Sequence, residues 1–359
     1  MKKNYSHRQS YFANSYLKFP FYLVVITMVW IAGCAPPSVK TTVLIPAASD
    51  NAARLKQIAV LPFDGRQGQE FAIELEGLLA SIAIDDKQYF TLVDRVRLNE
   101  VLSELKLAQS GFVQESTVAQ IGQMVGAKGI YTGVVTESNA TDSPYRENRS
   151  RCVHYVTKKD NKGREYQVCD RYKNYQVQCV KRTARFCFTP KLTDVETGKI
   201  VYSRNIAGTA NASGCADGQA PVAGAPELIN LAKRQALGMF RYDVAPHYTT
   251  MTIKMMNDTD GIDSPEAREK FKSGLEFAEK ERFDRACALW DEVMVSSPKA
   301  IGVLYNLGVC AEMVGHLDQA LDFYQQADKL TSKPDDRITE ALIRSTDLIK
   351  KQKKLESQN

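Results

Sequence analysis

Two segments near the end of this sequence carry the same types of side chain at the same relative positions, 34 residues apart. Phe271, for example, corresponds to Tyr305. Two glycines, two alanines and two large aromatic residues follow the same offset: Gly274, Ala286 and Trp290 in the first segment, and Gly308, Ala320 and Tyr324 in the second. A period of this length is typical of stacked helix pairs, in which small residues let helices cross closely and large residues fill the space between them. The repeat therefore predicts an all-α module.

This pattern resembles the tetratricopeptide repeat, whose unit is a pair of helices. The resemblance implies two repeats with a groove that holds a segment of a partner protein. Pro298 ends the first unit, and residues 335–354 are predicted to form a capping helix with a polar outer face, as the end of a repeat array requires. We place the module, with its cap, at residues 264–355.

The region before the repeats alternates between short apolar runs and amphipathic segments. Residues 56–65 contain an apolar run that ends at Pro62 and an Asp-Gly turn, which predicts a strand. Residues 70–86 and 96–109 have apolar side chains at the 3.6-residue spacing of a helix. Further strands are predicted over 89–95, 128–137 and 247–256, a hairpin over 188–208, and further helices over 115–127 and 225–240. This mixed order indicates an α/β (α+β) domain over residues 54–258.

Four stretches of this domain resemble, in their order and spacing, the CsgG/HfaB-type family of curli-assembly lipoproteins; they are IAVLPFDGRQGQ, FTLVDRVRLNEVLSELKLAQSG, GAKGIYTGVVTES and LTDVETGKIVYS. The resemblance implies an outer-membrane or periplasmic lipoprotein, and the family includes a secretion pore with a long constriction loop after its first strand. Here FDGRQGQE leads almost directly into a helix. Residues 209–227 lack the alternating apolar residues of membrane-spanning strands, and we expect them to be a flexible connection.

The first residues of the chain predict its compartment. Residues 1–18 carry four Lys or Arg and no acidic residue, and residues 19–32 are almost all apolar. That apolar run is too short for a comfortable membrane-spanning helix, and it is followed closely by Cys34. This order resembles a bacterial lipoprotein signal, in which the chain is cut before the cysteine and lipid is attached to its thiol. We predict a signal peptide over 1–33, lipidation of Cys34 and a tether over 34–53.

The predicted anchor also sets the location and the charge. Ala35 follows the cysteine and favours the outer membrane, so we expect a protein held by its lipid at the periplasmic face of that membrane. The segment 1–33 carries four positive charges, and its removal lowers the net charge from +5 to +1. No strong whole-chain attraction for nucleic acid remains. No cofactor is expected apart from the covalent lipid on Cys34.

Residues 146–191 form an insertion that contains four disulfide candidates, Cys152, Cys169, Cys179 and Cys187. No two of them are separated by only two residues, which disfavours a zinc site, and an oxidising compartment favours disulfides. Four cysteines allow three pairings. A turn at residues 173–175 would place Cys169 opposite Cys179 and leave Cys152 with Cys187, in a small stapled β-lobe. The sequence leaves the state of Cys215, Cys287 and Cys310 open.

The same insertion is basic, with thirteen Lys or Arg against four Asp or Glu, and tyrosines lie between them. The basic patch that we single out consists of Lys158, Lys159, Lys181, Arg182 and Arg185. One interpretation is a solvated surface. The other is a docking face for an anionic glycan, the phosphates of lipopolysaccharide or an acidic protein. Basic and aromatic residues together also suit single-stranded nucleic acid, which we do not expect because nucleic acid is scarce in the periplasm.

No catalytic or metal-binding motif accompanies these features. His154, His247 and His316 stand apart from any nucleophile motif, metal-ligand spacing or pair of acids. The sequence therefore predicts a non-enzymatic outer-membrane lipoprotein that acts as an adaptor in the assembly or secretion of a cell-surface structure. Two alternatives stay open: a lipoprotein regulator of a peptidoglycan synthase, and an oligomeric CsgG-type secretion pore, for which the chain would form a homo-oligomer.

Overall fold

The computed structural model describes residues 37–105, 115–218 and 221–358 of the chain. These residues divide into two compact units. The α/β unit comprises residues 41–251 and 343–358, and the helical unit comprises residues 37–40 and 252–342. The α/β unit is therefore discontinuous along the sequence. Strand β1 (Ser38–Ile45) pairs with the last strand, β10 (His247–Lys254).

A six-stranded mixed sheet forms the centre of the α/β unit. Its strands are β2 (Gln57–Val60), β5 (Thr91–Leu92), β6 (Gly129–Lys159), β7 (Glu165–Asp194), β8 (Ile200–Ser203) and β9 (Ile206–Cys215). The order is β5-β2-β6-β7-β8, and β9 pairs with a part of β7 farther from the base than β8 does. β5, β2 and β6 are parallel, whereas all pairings of β7 are antiparallel. β3 (Ala83–Ile84) and β4 (Lys87–Gln88) form a separate short hairpin.

Helices cover both faces of the base of this sheet. They are α1 (Asp50–Arg54), α2 (Gly68–Ala80) and α5 (Ala225–Val244) on one face, and α3 (Arg95–Glu104) and α4 (Glu115–Val125) on the other. Strand β2 shows why its sequence, with the residue that follows it, is a continuous apolar run. Ile58 and Val60 belong to one core and Ala59 and Leu61 to the other, as expected of a strand that is buried on both faces. The predicted mixed α/β domain is confirmed.

Strands β6 and β7 form a hairpin that extends far beyond this base. They contain 31 and 30 residues, and a strand rises about 3.3 Å per residue, so each arm is about 100 Å long. Gly163, with φ 77°, adopts the left-handed conformation that the turn between the strands requires. The sequence predicted a small lobe over 146–191. The structure instead places these residues in one continuous ladder with the strands of the base.

Strand β9 shows that the expected flexible connection over 209–227 is wrong for residues 209–215. These residues belong to a strand that pairs with β7 from Phe188 to Cys179. The strand needs small residues because helix α5 packs against it: a Cβ on Gly208 would clash with the backbone of Ala232. The predicted tether is likewise wrong for residues 38–53, which contribute to β1 and α1.

The last helix, α10 (Asp336–Gln358), returns the chain to the α/β unit. The side-chain amide of Gln358 is fully buried. It accepts a hydrogen bond from the backbone N–H of Ala47 and donates one to the carbonyl of Ala47, both at 3.0 Å. The helix thus extends past the predicted cap at 335–354, and its second part belongs to the α/β unit.

Four further helices make up most of the helical unit: α6 (Pro265–Glu279), α7 (Phe283–Ser296), α8 (Ile301–Met313) and α9 (Leu317–Leu330). Helices α7 and α9 begin and end 34 residues apart. A Cβ on Gly274 would clash with the indole of Trp290, and one on Gly308 would clash with the ring of Tyr324. The predicted helical C-terminal region is confirmed, and its assignment to the tetratricopeptide repeats stays a prediction.

Candidate functional site

A groove opens between α7, α8 and α9 of the helical unit. Its cavity has a volume of about 340 Å³. Its apolar lining consists of Phe283, Leu307, Ala311, Met313, Val314 and Phe323, and its polar lining includes Asp284, Asp291, His316 and Gln319. Helix α7 presents Asp284, Cys287 and Asp291 to the groove because residues three and four positions apart share one face of a helix.

A disulfide fixes the floor of this groove. Cys287 of α7 is bonded to Cys310 of α8, with 6.0 Å between their Cα atoms, and both residues line the cavity. The sequence left the state of these two cysteines open. Because the bond joins two walls of the groove, the groove is largely formed before a ligand enters, which reduces the entropy lost on binding.

The groove carries an acidic character. Asp284 forms an ion pair with Arg282 at 2.8 Å, and hydrogen bonding from that guanidinium lowers the pKa of Asp284 to about 2. Burial raises the pKa of Asp291, and no ion pair to Asp291 occurs within the described part of the chain. Residues 252–342 contain 18 Asp or Glu against 11 Lys or Arg, a net charge of −7. The groove therefore suits a ligand that is apolar and positively charged.

The six predicted repeat-signature residues, Gly274, Ala286, Trp290, Gly308, Ala320 and Tyr324, lie behind this groove and not in it. All of them are buried. The indole of Trp290 donates a hydrogen bond to the carbonyl of Phe271 at 3.1 Å, and the hydroxyl of Tyr324 donates one to Glu312 at 2.9 Å. These residues hold the helices together. Apart from Phe283, which lies 34 residues before Leu317, the groove lining comes from positions outside the repeat pattern.

The expected cysteine pairing in the insertion is wrong. Cys152 is bonded to Cys169, and Cys179 is bonded to Cys215, while Cys187 is buried and free. The chain turns at residues 160–164 rather than 173–175, which brings Cys169 close to Cys152. Cys179 lies directly opposite Cys215 of β9, in a segment that was predicted to be a flexible connection.

The basic patch does not form one surface. Side chains alternate along β7, so Lys181 and Arg185 lie on one face and Arg182 on the other. Three of its members already have acidic partners: Lys159 with Glu165 at 3.2 Å, Arg182 with Asp142 at 2.7 Å and Arg185 with Glu137 at 3.3 Å. Lys158 and Lys181 make no ion pair with the residues that the structure describes.

The remaining candidate residues that the structure describes do not form a common site. Cys34 lies outside the described residues. His154 contacts Asp170 at 2.7 Å, His247 stacks on Tyr242 with 4.2 Å between ring centroids, and His316 lies in the groove. Glu147 lies close to Cys179 and Cys215, but both sulfurs form the disulfide and are not available to a metal. The structure does not bring the three histidines into a common site.

Comparison with known proteins identifies the family. The family model of the curli production assembly/transport component CsgG matches residues 49–236, just over half of the chain. The chain belongs to the CsgG family. The CsgG match covers most of the α/β unit, and a second family, described as a domain of unknown function (DUF6340), matches residues 272–354. No curated protein matches the chain at a significant level.

Solved structures give a weaker likeness. The LpoB C-terminal domain from Escherichia coli is 14% identical, over 45% of this chain and 94% of that chain, with a TM-score of 0.23. The LpoB C-terminal domain from Salmonella enterica is 13% identical over the same shares, with a TM-score of 0.22. The PelC dodecamer from Paraburkholderia phytofirmans is 14% identical, over 58% of this chain and 98% of that chain, with a TM-score of 0.21. Among the described helices, none combines the length and apolar composition needed to cross a membrane.

Proposed function

We propose that this protein is a non-enzymatic, lipid-anchored accessory protein of the outer membrane that holds a segment of a partner protein in the groove of its helical unit. Membership of the CsgG family supports a role in the assembly or transport of a cell-surface structure, because that family is described by a curli assembly and transport component. The observation that carries the proposal is the groove with its disulfide floor and acidic lining.

The lining of the groove defines the partner segment. Val314 is 67% exposed, so a bound apolar side chain would remove it from water, which is favourable in proportion to the apolar area buried. A Lys or Arg on the same segment would face Asp284 and Asp291. An amphipathic helix with a basic residue beside its apolar stripe has this chemistry.

The groove can be tested with a matched pair of valines. Val314 lies in the groove, whereas Val295, 86% exposed near the end of α7, does not line it. A photo-crosslinking residue at 314 should capture one partner in cells, through a segment with apolar and basic side chains, and the same probe at 295 should not. Val314→Glu should abolish that capture and reduce the surface structure that the partner builds, whereas Val295→Glu should leave both unchanged. Equal capture from both positions would show that the groove is not the binding site.

Cys34 carries the proposed contact with outer-membrane lipid. A thioether-linked diacylglycerol needs the cysteine sulfur, so Cys34→Ser should leave the protein unlipidated and, after a high-salt wash, in the soluble fraction. Mass spectrometry of the wild-type protein should find the modified cysteine at the new N-terminus. A Cys34→Ser variant that still partitions with outer membranes after the wash would contradict the lipid anchor without affecting the groove.

A further inference from the structure

The outer hairpin is defined here as residues 137–185 of β6, β7 and the turn between them. Each of its acidic side chains is paired with a basic residue of the same segment. It contains six Asp or Glu and twelve Lys or Arg. Each acid has a basic partner: Glu137 with Arg185, Asp142 with Arg182, Glu147 with Arg149, Asp160 with Arg164, Glu165 with Lys159, and Asp170 with His154. Seven cations remain without an acidic partner among the described residues: Arg146, Arg151, Lys158, Lys162, Arg171, Lys173 and Lys181. The positive charge of the outer hairpin is therefore not neutralised locally.

Three of these cations lie together. Arg151 is directly opposite Lys173 in the ladder, and Arg171 is two residues from Lys173 on the same strand, hence on the same face. All three are exposed. Like charges directly opposite each other across two strands destabilise a sheet. This cation cluster of Arg151, Arg171 and Lys173 thus weakens the hairpin that carries it, and a bound anion would remove the repulsion.

Exposed aromatic rings lie along the same outer hairpin. Tyr155, Tyr166 and Tyr172 are 58%, 49% and 64% exposed. Tyr166 is directly opposite Lys158 in the ladder, so an exposed ring and a cation without an acidic partner share one face there. An exposed phenol ring offers an apolar face with a polar edge, which matches the apolar C–H face and polar rim of a sugar ring.

The unpartnered cations also extend along the hairpin. In the ladder, Lys181 is paired with Ser143 and Lys158 with Tyr166, fifteen positions farther along, which corresponds to about 50 Å. A single small anion cannot contact such a row, but an extended polyanion can. Val153 is the one aliphatic side chain of the described outer hairpin among the large exposed apolar residues, so the surface lacks the apolar centre that a protein–protein interface needs.

We propose that the outer hairpin binds an extended acidic polysaccharide, with anionic groups at the cation cluster and sugar rings against the exposed tyrosines. This site is separate in chemistry from the groove of the helical unit and does not depend on it. Binding by the hairpin requires only the described strands β6 and β7 and their ion pairs.

The test uses the full-length lipoprotein in detergent and polygalacturonate as the probe. Wild-type protein should bind polygalacturonate and not dextran, and the affinity should fall steeply between 50 mM and 500 mM salt, since screening shortens with ionic strength. The triple variant Arg151→Gln, Arg171→Gln, Lys173→Gln should lose at least tenfold in affinity. The matched variant Lys159→Gln, Arg164→Gln, Arg185→Gln removes the same charge from cations that already have partners, and it should lose less than threefold.

Three outcomes would overturn the proposal. Equal losses in the two triple variants would show that net charge alone binds the polymer. Absence of polygalacturonate binding by a wild-type protein with native circular dichroism would exclude this ligand class. Tighter binding of a single-stranded oligothymidylate, with the same dependence on Arg151, Arg171 and Lys173, would identify a nucleic-acid surface instead.

Discussion

The helical unit and the outer hairpin use the same residue types in opposite ways. Trp290 and Tyr324 of the helical unit are fully buried, whereas Tyr155 and Tyr172 of the hairpin are more than half exposed. The helical unit is acidic and the outer hairpin is basic. A helix pair obtains its shape from the side chains that it buries, while a two-stranded ladder is held by its backbone and its disulfides. The hairpin can therefore present its side chains to a ligand at little loss of fold.

The largest expected effect comes from the disulfides, which should act differently in the two regions. The Cys287–Cys310 and Cys152–Cys169 bonds join residues 23 and 17 apart, and loop closure of this length contributes about 3 kcal/mol. Replacing Cys287 and Cys310 by Ala should lower the unfolding midpoint of the helical unit in urea, followed by the fluorescence of Trp290. The only other tryptophan is Trp30, in the predicted signal peptide.

Replacing Cys152 and Cys169 by Ala should leave the main unfolding transition in place, because the core of the α/β unit lies at the other end of the hairpin. Only the end of the hairpin around the turn at residues 160–164, here called the tip, should unfold locally. Limited proteolysis near these residues should therefore accelerate. Cys187→Ala is the control for loss of a thiol that makes no disulfide. If both double variants lost the main unfolding transition, the two disulfides would not act differently, because the tip would then unfold cooperatively with the core.

Glycine substitutions should show the next largest effect. Gly274→Ala would push a methyl group into the indole of Trp290, and Gly308→Ala would push one into the ring of Tyr324. Overpacking of this kind costs about 2 kcal/mol at each position, measurable by urea unfolding. Gly238→Ala in α5 is the matched control, because no atom lies within 4 Å of its new methyl group, and it should stabilise by about 0.5 kcal/mol. If alanine changed the free energy of unfolding in the same direction at all three positions, the close crossing at Gly274 and Gly308 would not be what holds the helix pairs.

The pH dependence of the α/β unit should be governed in part by Lys56, which lies over the ring of Tyr89. Burial lowers the pKa of Lys56 from 10.5 to about 8. Between these values the unfolded chain binds the proton that the folded chain has lost, so stability should rise from pH 8 to pH 10.5. The side chain is only half-buried and screened by water, so the rise should be about 1 kcal/mol. Lys56→Met should be more stable at pH 7 and lack this rise in urea unfolding followed by circular dichroism; an unchanged rise would assign it to other groups.

The smallest expected effect concerns the cation cluster in the absence of ligand. Changing Arg151, Arg171 and Lys173 to Gln removes a repulsion between facing strands, so the tip should become more stable by about 0.5 kcal/mol. Proteolysis near residues 160–164 should slow at low salt, and the difference from wild type should shrink as salt screens the charges. Faster cleavage of this variant would indicate that the three cations stabilise the hairpin, which would contradict the repulsion on which the proposed anion site rests.

The sequence predicted strands and helices correctly where packing against a core imposes a regular spacing of apolar residues. The apolar run at 58–61 and the 34-residue offset between Trp290 and Tyr324 both reflect packing against a core, and the structure contains the strand and the helices that they predict. The outer hairpin has no continuously buried face, so no alternation of apolar residues marked its length. Its strands could be recognised only from pairings between distant residues.

The remaining differences have the same long-range origin. Residues 209–215 of β9 were interpreted as a flexible connection, although they continue the strand that begins at Ile206 and pair with distant residues of β7. The partner of Cys179 is 36 residues away, on that same strand, so a pairing argument confined to residues 146–191 could not include it. In the helical unit, the period predicted the residues that hold the helices together, but most of the groove residues lie outside that pattern.

The contact between Gln358 and Ala47 joins residues 311 positions apart. In the sequence, residues 252–342 of the helical unit lie between them. During synthesis, residues 41–251 of the α/β unit are made first, and α10 follows only after the whole of residues 252–342. For that interval the backbone N–H and carbonyl of Ala47 have no partner from Gln358. The order of synthesis therefore leaves the α/β unit incomplete until the helical unit has been made.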